Sequence, residues 1–141
     1  MDKKVGVGLI GSQFISSIHA DALSKLRDAE ILAVMSPSEG HAKSFAEKFN
    51  IPNHFTDLDH LLAMKDIDMV VIGAPNYLHC EITLKIAKAG KHVVVEKPFC
   101  MNLKEADLMI DACKEANVKL MYAEELCFTP KYVRMKGLLD Q

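Results

Sequence analysis

The sequence predicts an α/β fold, a doubly wound parallel sheet with helices on both faces. Three observations predict it. Hydrophobic periodicity switches repeatedly between the two-residue repeat of a strand and the 3.6-residue repeat of a helix along the 141 residues. Strands alternate with helices rather than with one another, and such crossover units build parallel sheets. The run Met69-Val70-Val71-Ile72 is continuously apolar, as expected of a strand covered on both faces.

Each element has its own signal. Residues 4–10 alternate Val5, Val7 and Leu9 and stop at Gly11, which reads as the first strand. Phe14, Ile15, Ile18, Ala22, Leu23 and Leu26 then recur at helical spacing, in a helix expected to begin at Ser12 or Gln13. Residues 30–35 form a second strand, ended by Ser36-Pro37-Ser38, and a helix runs from there to Phe49 with Ser38 as N-cap. The third strand covers residues 68–73, followed by a helix over about 77–89 that Gly90 stops. A fourth strand over 92–95, a helix over about 103–116 and a fifth strand over 119–122 complete the sheet. A last helix starts near Thr129-Pro130, where proline suits a first turn. No linker or low-complexity segment divides the chain, so residues 1–141 read as one domain.

Composition excludes several classes. Half the residues are hydrophobic, 26% are charged and the net charge is −2, with both signs interspersed. That leaves no basic footprint for nucleic acid and no polybasic membrane patch. No stretch approaches the ~20 apolar residues needed to span a bilayer. The apolar run after Met1-Asp2-Lys3-Lys4 is broken by two glycines and too short for a signal peptide, so the expected compartment is the cytoplasm. Cys80, Cys100, Cys113 and Cys127 form no close pair of the kind metal or redox motifs use, and no metal is expected.

A G-x-G-x-x-G pattern occurs at Gly6, Gly8 and Gly11, but in the wrong place. In the dinucleotide fingerprint the first glycine makes the turn leaving the strand, the second admits pyrophosphate, and the third lets helix and strand pack closely. Gly6 and Gly8 precede any turn. Moving the register by five residues puts Gly11 at the turn, Gln13 in place of the second glycine and Ser16 in place of the third. This degenerate version also fits an ordinary strand–turn–helix joint. The N–H groups of the following helix nonetheless offer an anion site, with Ser12, Gln13, Phe14 and Ile15 around it. At the end of the second strand, where an acidic residue would grip ribose, stands Ser36. No carboxylate repels a 2′-phosphate there and no arginine welcomes one, although His41 and Lys43 are near, so NAD and NADP both stay open.

Glu96-Lys97-Pro98 follows the fourth strand directly, and ligands in open α/β sheets bind outside the carboxyl ends of strands. Beside a bound, positively charged nicotinamide, Lys97 would have a lowered pKa and would suit proton transfer from an alcohol. Read by itself it is also a solvated lysine at a strand end. After the third strand comes Ala74-Pro75-Asn76-Tyr77-Leu78-His79, where Asn76 could line a cofactor channel and His79 could bind, cap or pack. Gly11, Ser36, Asn76, Glu96 and Lys97 are expected to border one crevice.

Gly11 through His19, then Ala74-Pro75-Asn76 with His79, then Ala89-Gly90-Lys91-His92-Val93 running into Glu96-Lys97-Pro98, resemble the glucose–fructose oxidoreductase/inositol dehydrogenase/rhizopine-catabolism (Gfo/Idh/MocA) family, from Val5 to about Val133. The resemblance implies a Rossmann domain binding NAD or NADP, joined to a second α/β domain. It implies oxidation or reduction of a hydroxyl or carbonyl on a sugar, inositol or related polyol, with Lys97 in substrate binding and proton transfer. Self-association in such enzymes runs through the second domain's sheet, making a homo-oligomer. Where members show Glu-Asn-x-Arg-Phe-x-Pro, this chain has Glu124-Glu125-Leu126-Cys127-Phe128-Thr129-Pro130, so Glu124 matches while Glu125 and Cys127 depart. The substrate domain and its histidine are expected to lie outside this chain. A non-catalytic dinucleotide sensor or subunit is the alternative. A flavodoxin-like phosphoacceptor would need acidic residues after the first strand, and Gly11-Ser12-Gln13 has none.

Overall fold

The computed structural model describes residues 3–141. In chain order the elements are β1 (Val5–Ile10), α1 (Phe14–Ser24), β2 (Ala29–Met35), α2 (Glu39–Phe49), β3 (Asn53–Phe55), α3 (Leu58–Leu62) and β4 (Met69–Ile72). A 3₁₀ turn (Asn76–Leu78) leads to α4 (His79–Lys88), β5 (His92–Glu96), α5 (Leu103–Glu115) and β6 (Leu120–Ala123). A second 3₁₀ turn (Glu125–Phe128) precedes α6 (Pro130–Leu139). All strand pairs are parallel, in the order β3-β2-β1-β4-β5-β6. The doubly wound Rossmann sheet is therefore present, and its order reverses between β1 and β4, where a crevice must open at the carboxyl edge.

The sheet has six strands rather than the five that periodicity gives, because β3 and the adjacent α3 leave little trace in the sequence. β3 is a three-residue edge strand with no fully buried residue. α3 has only five residues, with Asp57 capping it by accepting from Asp59 N–H at 2.7 Å. Both fall below the length at which a repeat can register. The first helix also starts later than expected, at Phe14, since Gln13 is still extended at φ −95° and serves as N-cap. Tyr77 belongs to a separate 3₁₀ turn instead of the following helix, which starts at His79. Ser38 does occupy the N-cap of α2, without a side-chain bond.

Alternation in β1 sends side chains to two cores. Val7 and Leu9 join Ala20, Val34 and Phe45 on one face, while Ile10 joins Leu61, Ile72, Ile86 and Met109 on the other. Each such fully buried aliphatic side chain stabilises the fold by roughly 1.5–3 kcal/mol. Gly6 and Gly8 lie inside β1, as the register argument requires. A Cβ on Gly6 would stand 1.9 Å from the Asp66 carbonyl oxygen, and one on Gly8 would stand 2.8 Å from Leu61 Cδ2. These glycines make room for α3 and the chain entering β4. They serve packing, not a ligand.

Two polar clamps hold the amino edge of the sheet, opposite the crevice. Asp68 accepts from Gly6 N–H and from the Lys3 ammonium, both at 2.9 Å. The hydrogen bond from Lys3, the Gly6 N–H and the Lys3 charge together hold the Asp68 carboxyl below its usual range. Lys91 is buried, and its Nζ donates to the carbonyls of Met64 at 2.7 Å and Ile67 at 2.8 Å. Among the described residues no helix is long and apolar enough to cross a membrane, and no group of His, Cys, Asp and Glu could hold a metal ion.

Candidate functional site

The site begins where β1 must turn. Gly11 has φ +101°, a left-handed conformation that glycine adopts without cost. A Cβ there would stand 2.7 Å from Gly73 O, so the two strand ends pass too closely for any other residue. The close helix–strand packing expected of the third glycine is achieved differently. Ser16 occupies that position, and its Oγ would lie 2.6 Å from a Cβ on Gly73. Gly73, missed in the sequence, supplies the space that Ser16 fills; its signal was a glycine directly after the apolar run of β4. α1 has no acidic residue in its first turn, leaving the dipole and N–H groups of its N-terminus uncompensated by the chain itself.

Beside this turn lies a crevice of about 330 Å³. Gly11, Ser12, Gln13, Ser36, Ala74 and Pro75 line it, together with Ser38, His41 and Gly73. Ser12 donates its hydroxyl to Ser36 Oγ at 2.9 Å, joining the ends of β1 and β2. Phe14 and Ile15 do not line it: Phe14 is 79% exposed as the first residue of α1, and Ile15 packs near Gly73. Asn76 opens the 3₁₀ turn just beyond Pro75, and it too lies off the crevice wall.

The end of β5 forms an adjoining polar cluster. Glu96 is buried and accepts at both oxygens, with His19 Nε2 at 2.7 Å and Lys97 N–H at 2.9 Å. It thereby ties α1 to the backbone of Lys97. Glu96 and Lys97 adjoin the crevice rather than line it. His79 meets protein partners on both sides. Its ring is 1% exposed, with Nδ1 3.0 Å from Pro98 O and Nε2 2.9 Å from Ala74 O. Both nitrogens face backbone carbonyls, so His79 lies between the loops after β4 and β5 and ties them together.

Lys97 is exposed, and its ammonium pairs with Glu125 Oε1 at 2.9 Å. The Glu125 hydrogen bond and charge raise the Lys97 pKa above the ordinary lysine value, with smaller contributions from Glu124 and Glu96. Three carboxylates outweigh the small desolvation of an exposed amine. Glu125 is held below the usual carboxylate range by the same pair. Glu124 Oε1 is buried without a hydrogen-bond partner among the described residues. The sequence did not reveal the Lys97–Glu125 pair or the His19–Glu96 bond, since each joins residues from different crossover units.

The chain matches the model of the GFO_IDH_MocA family, described as an oxidoreductase family with an NAD-binding Rossmann fold, over residues 5–124. It is 37% identical to scyllo-inositol 2-dehydrogenase (NADP(+)) IolU of Bacillus subtilis, covering 94% of this chain and 40% of that protein. It is 31% identical to myo-inositol 2-dehydrogenase of Thermotoga maritima, covering 95% of this chain and 40% of that one. Among solved structures, scyllo-inositol dehydrogenase from Lactobacillus casei with bound NAD(H) and scyllo-inositol superposes with a TM-score of 0.92 at 26% identity, over 99% of this chain and 42% of that chain. The chain thus spans about two fifths of the length of the relatives it matches. Strand order, the Gly11 turn and the family match agree: the chain belongs to the Gfo/Idh/MocA oxidoreductase family and carries its NAD-binding Rossmann fold.

Proposed function

We propose that this chain is the dinucleotide-binding portion of an oxidoreductase that uses NAD or NADP to oxidise or reduce a CH–OH group of a polyol or sugar. The observation that carries the reading is the crevice at the strand-order reversal, opened by Gly11 and walled by Ser12, Gln13, Ser36, Ala74 and Pro75. The donor set suits a dinucleotide, with the α1 N-terminus free of acidic residues for the pyrophosphate and hydroxyls at the end of β2 for a ribose. The relatives named for inositol support the polyol class.

When bound, the nicotinamide supplies the hydride acceptor or donor. This chain's residues act from fixed positions. Gly11 and Gly73 keep the backbone open at the pyrophosphate end. Glu96 fixes the Lys97 backbone; in oxidation Lys97 passes a proton to the Glu125 carboxylate and, as the neutral amine, takes the proton of the substrate hydroxyl, and in reduction the two transfers run in reverse. The remaining substrate contacts come from a further domain beyond these residues. The apolar side chains exposed along the C-terminal segment, Phe128, Val133, Leu138 and Leu139, support a covering partner of that kind.

Calorimetric titration of the chain with NAD⁺, NADH, NADP⁺ and NADPH tests the reading. Saturable binding of at least one, weakened by Gly11→Val, is expected. No binding of any dinucleotide would overturn it. In the protein extended to the length of its relatives, Lys97→Ala is expected to remove polyol oxidation while leaving dinucleotide binding intact. Retained turnover would remove Lys97 from its role.

A further inference from the structure

We infer that Glu125, by masking Lys97, makes the site selective by charge, so that it takes a polyol or sugar bearing an ammonium group in preference to one bearing a carboxylate or phosphate. The inference rests on the reading of Lys97 as the group at the substrate hydroxyl, and it goes beyond that reading by naming the charge of the substrate.

The charges gather at the carboxyl ends of β5 and β6. Lys97 follows β5 directly, and its ammonium meets Glu125 Oε1 at 2.9 Å. The two side chains are 43% and 58% exposed, so the pair stands at the mouth of the site rather than inside the fold. Glu125 acts most strongly on the Lys97 charge, and Glu124 and Glu96 add to it. Three carboxylates therefore surround one ammonium, with the His19 ring beside Glu96 as a further titratable neighbour. The turn that carries Glu125, Glu125–Phe128, has no basic residue to offset them.

A free ammonium beside the reacting hydroxyl would draw an anionic substituent toward itself. Here Glu125 already holds that ammonium, so an arriving carboxylate or phosphate must displace Glu125 and leave it unpaired. The arriving anion also meets Glu124, whose Oε1 is buried with no hydrogen-bond partner among the described residues. A carboxylate oxygen in that state is matched to a donor, and an ammonium brings three. The Lys97–Glu125 pair is neutral as a unit, which leaves the charge of Glu124 uncompensated. Opposite substrate charges held roughly 6 Å from one such carboxylate differ in binding about tenfold even at the dielectric constant of water, and by more where the site excludes water.

The test uses the protein extended to the length of its relatives, at pH 7 and low ionic strength. Rates of dinucleotide reduction are read with two sets of compounds: myo-inositol, its monoamine and its monophosphate, and then glucose, glucosamine and glucuronate. Within a set that is turned over, kcat/KM is expected to fall from amine to parent to anion, with the amine about tenfold or more above the anion. An amine-to-anion ratio under about threefold overturns the inference and leaves the proposed function standing. Turnover of none of the six overturns the inference together with the polyol or sugar reading. Glu125→Gln unmasks Lys97 and should bring the ratio toward one, whereas Glu125→Asp should keep it, and added salt should shrink it in the unaltered protein. Glu125 also exchanges the proton of Lys97, so the ratio is the readout and not the rate. Where Glu125→Gln turns over too slowly, the same ratio is read from the Kd of amine and anion for the dinucleotide-loaded variant. A ratio that Glu125→Gln leaves unchanged overturns the assignment of the selectivity to Glu125.

Discussion

The His19–Glu96 bond is the longest-range polar link in the site, and its removal makes a sharp test. Glu96 is buried, and its side chain is 8% exposed with two partners among the described residues, His19 Nε2 and the Lys97 N–H. His19→Ala leaves one carboxylate oxygen buried with no donor. Stranding a buried acceptor costs ~1–3 kcal/mol, with the upper part of the range expected for a carboxylate. Glu96→Gln retains an acceptor for the Lys97 N–H and gives up the charge, so it should cost less, on the order of 1 kcal/mol. The assay is urea denaturation of wild type, both single variants and the double variant, followed by circular dichroism at constant m. If the two side chains act as a unit, the double variant loses less than the sum of the singles, with a coupling of about 0.5–3 kcal/mol. Strict additivity within ~0.3 kcal/mol would show that the pair does not hold α1 against β5, and the positioning argument for Lys97 would fail.

Other perturbations reach different parts of the molecule. Asp68→Asn should lower stability at neutral pH. Because the folded pKa of Asp68 lies below its unfolded value, the wild-type advantage is present above about pH 4 and lost as pH falls through the folded pKa, so the two stability curves converge in acid. Parallel curves down to pH 2 in denaturant titrations would contradict the Lys3–Asp68–Gly6 clamp. Lys91→Met strands the Met64 and Ile67 carbonyls and should cost ~1–3 kcal/mol by urea midpoint, whereas an unchanged midpoint would mean water replaces the amine. Glu125→Gln should move the Lys97 pKa downward, read by NMR titration of a ¹³Cε-labelled lysine, while Glu105→Gln, remote on α5, should not; no downward movement would show that the ion pair does not persist in solution.

The architecture was legible because its long elements carry strong periodicity. β4 is an unbroken apolar run, β5 carries Val93-Val94-Val95 at its centre, and α2, α4 and α5 each bury a stripe. β3 and α3 were not legible, because three and five residues cannot display a repeat. Placement of the turn at Gly11 followed from asking where a strand must end before a fingerprint can work, and the same logic kept Gly6 and Gly8 inside the strand. The site was harder. Ser12, Gln13, Ser36, Ala74 and Pro75 sit on turns at strand ends, where topology alone brings them together. Glu96 and His79 have the residue types of a functional site, yet burial turned both inward onto protein partners. Nothing in local sequence distinguishes a strand-end carboxylate that faces a ligand from one that faces a helix. The Glu125 partner of Lys97 depends on how β6 lies beside β5, a relation that no spacing encodes.

The fit of Ser16 against Gly73 carries a consequence for how this joint can change over time. The hydroxyl of one residue occupies the volume that a methyl group on the other would need, 2.6 Å away. The two positions therefore share one allotment of space, and either can hold the bulk but not both. Alanine at 73 alone would push α1 off the sheet, and glycine at 16 alone would leave a hole where Ser16 Oγ now sits. Both changes together would restore the fill with the large and small partners exchanged. Chains on the two sides of such an exchange would carry different fingerprints over the same crevice. A glycine absent from its expected place in the motif can then be sought across the sheet, at the end of the neighbouring strand.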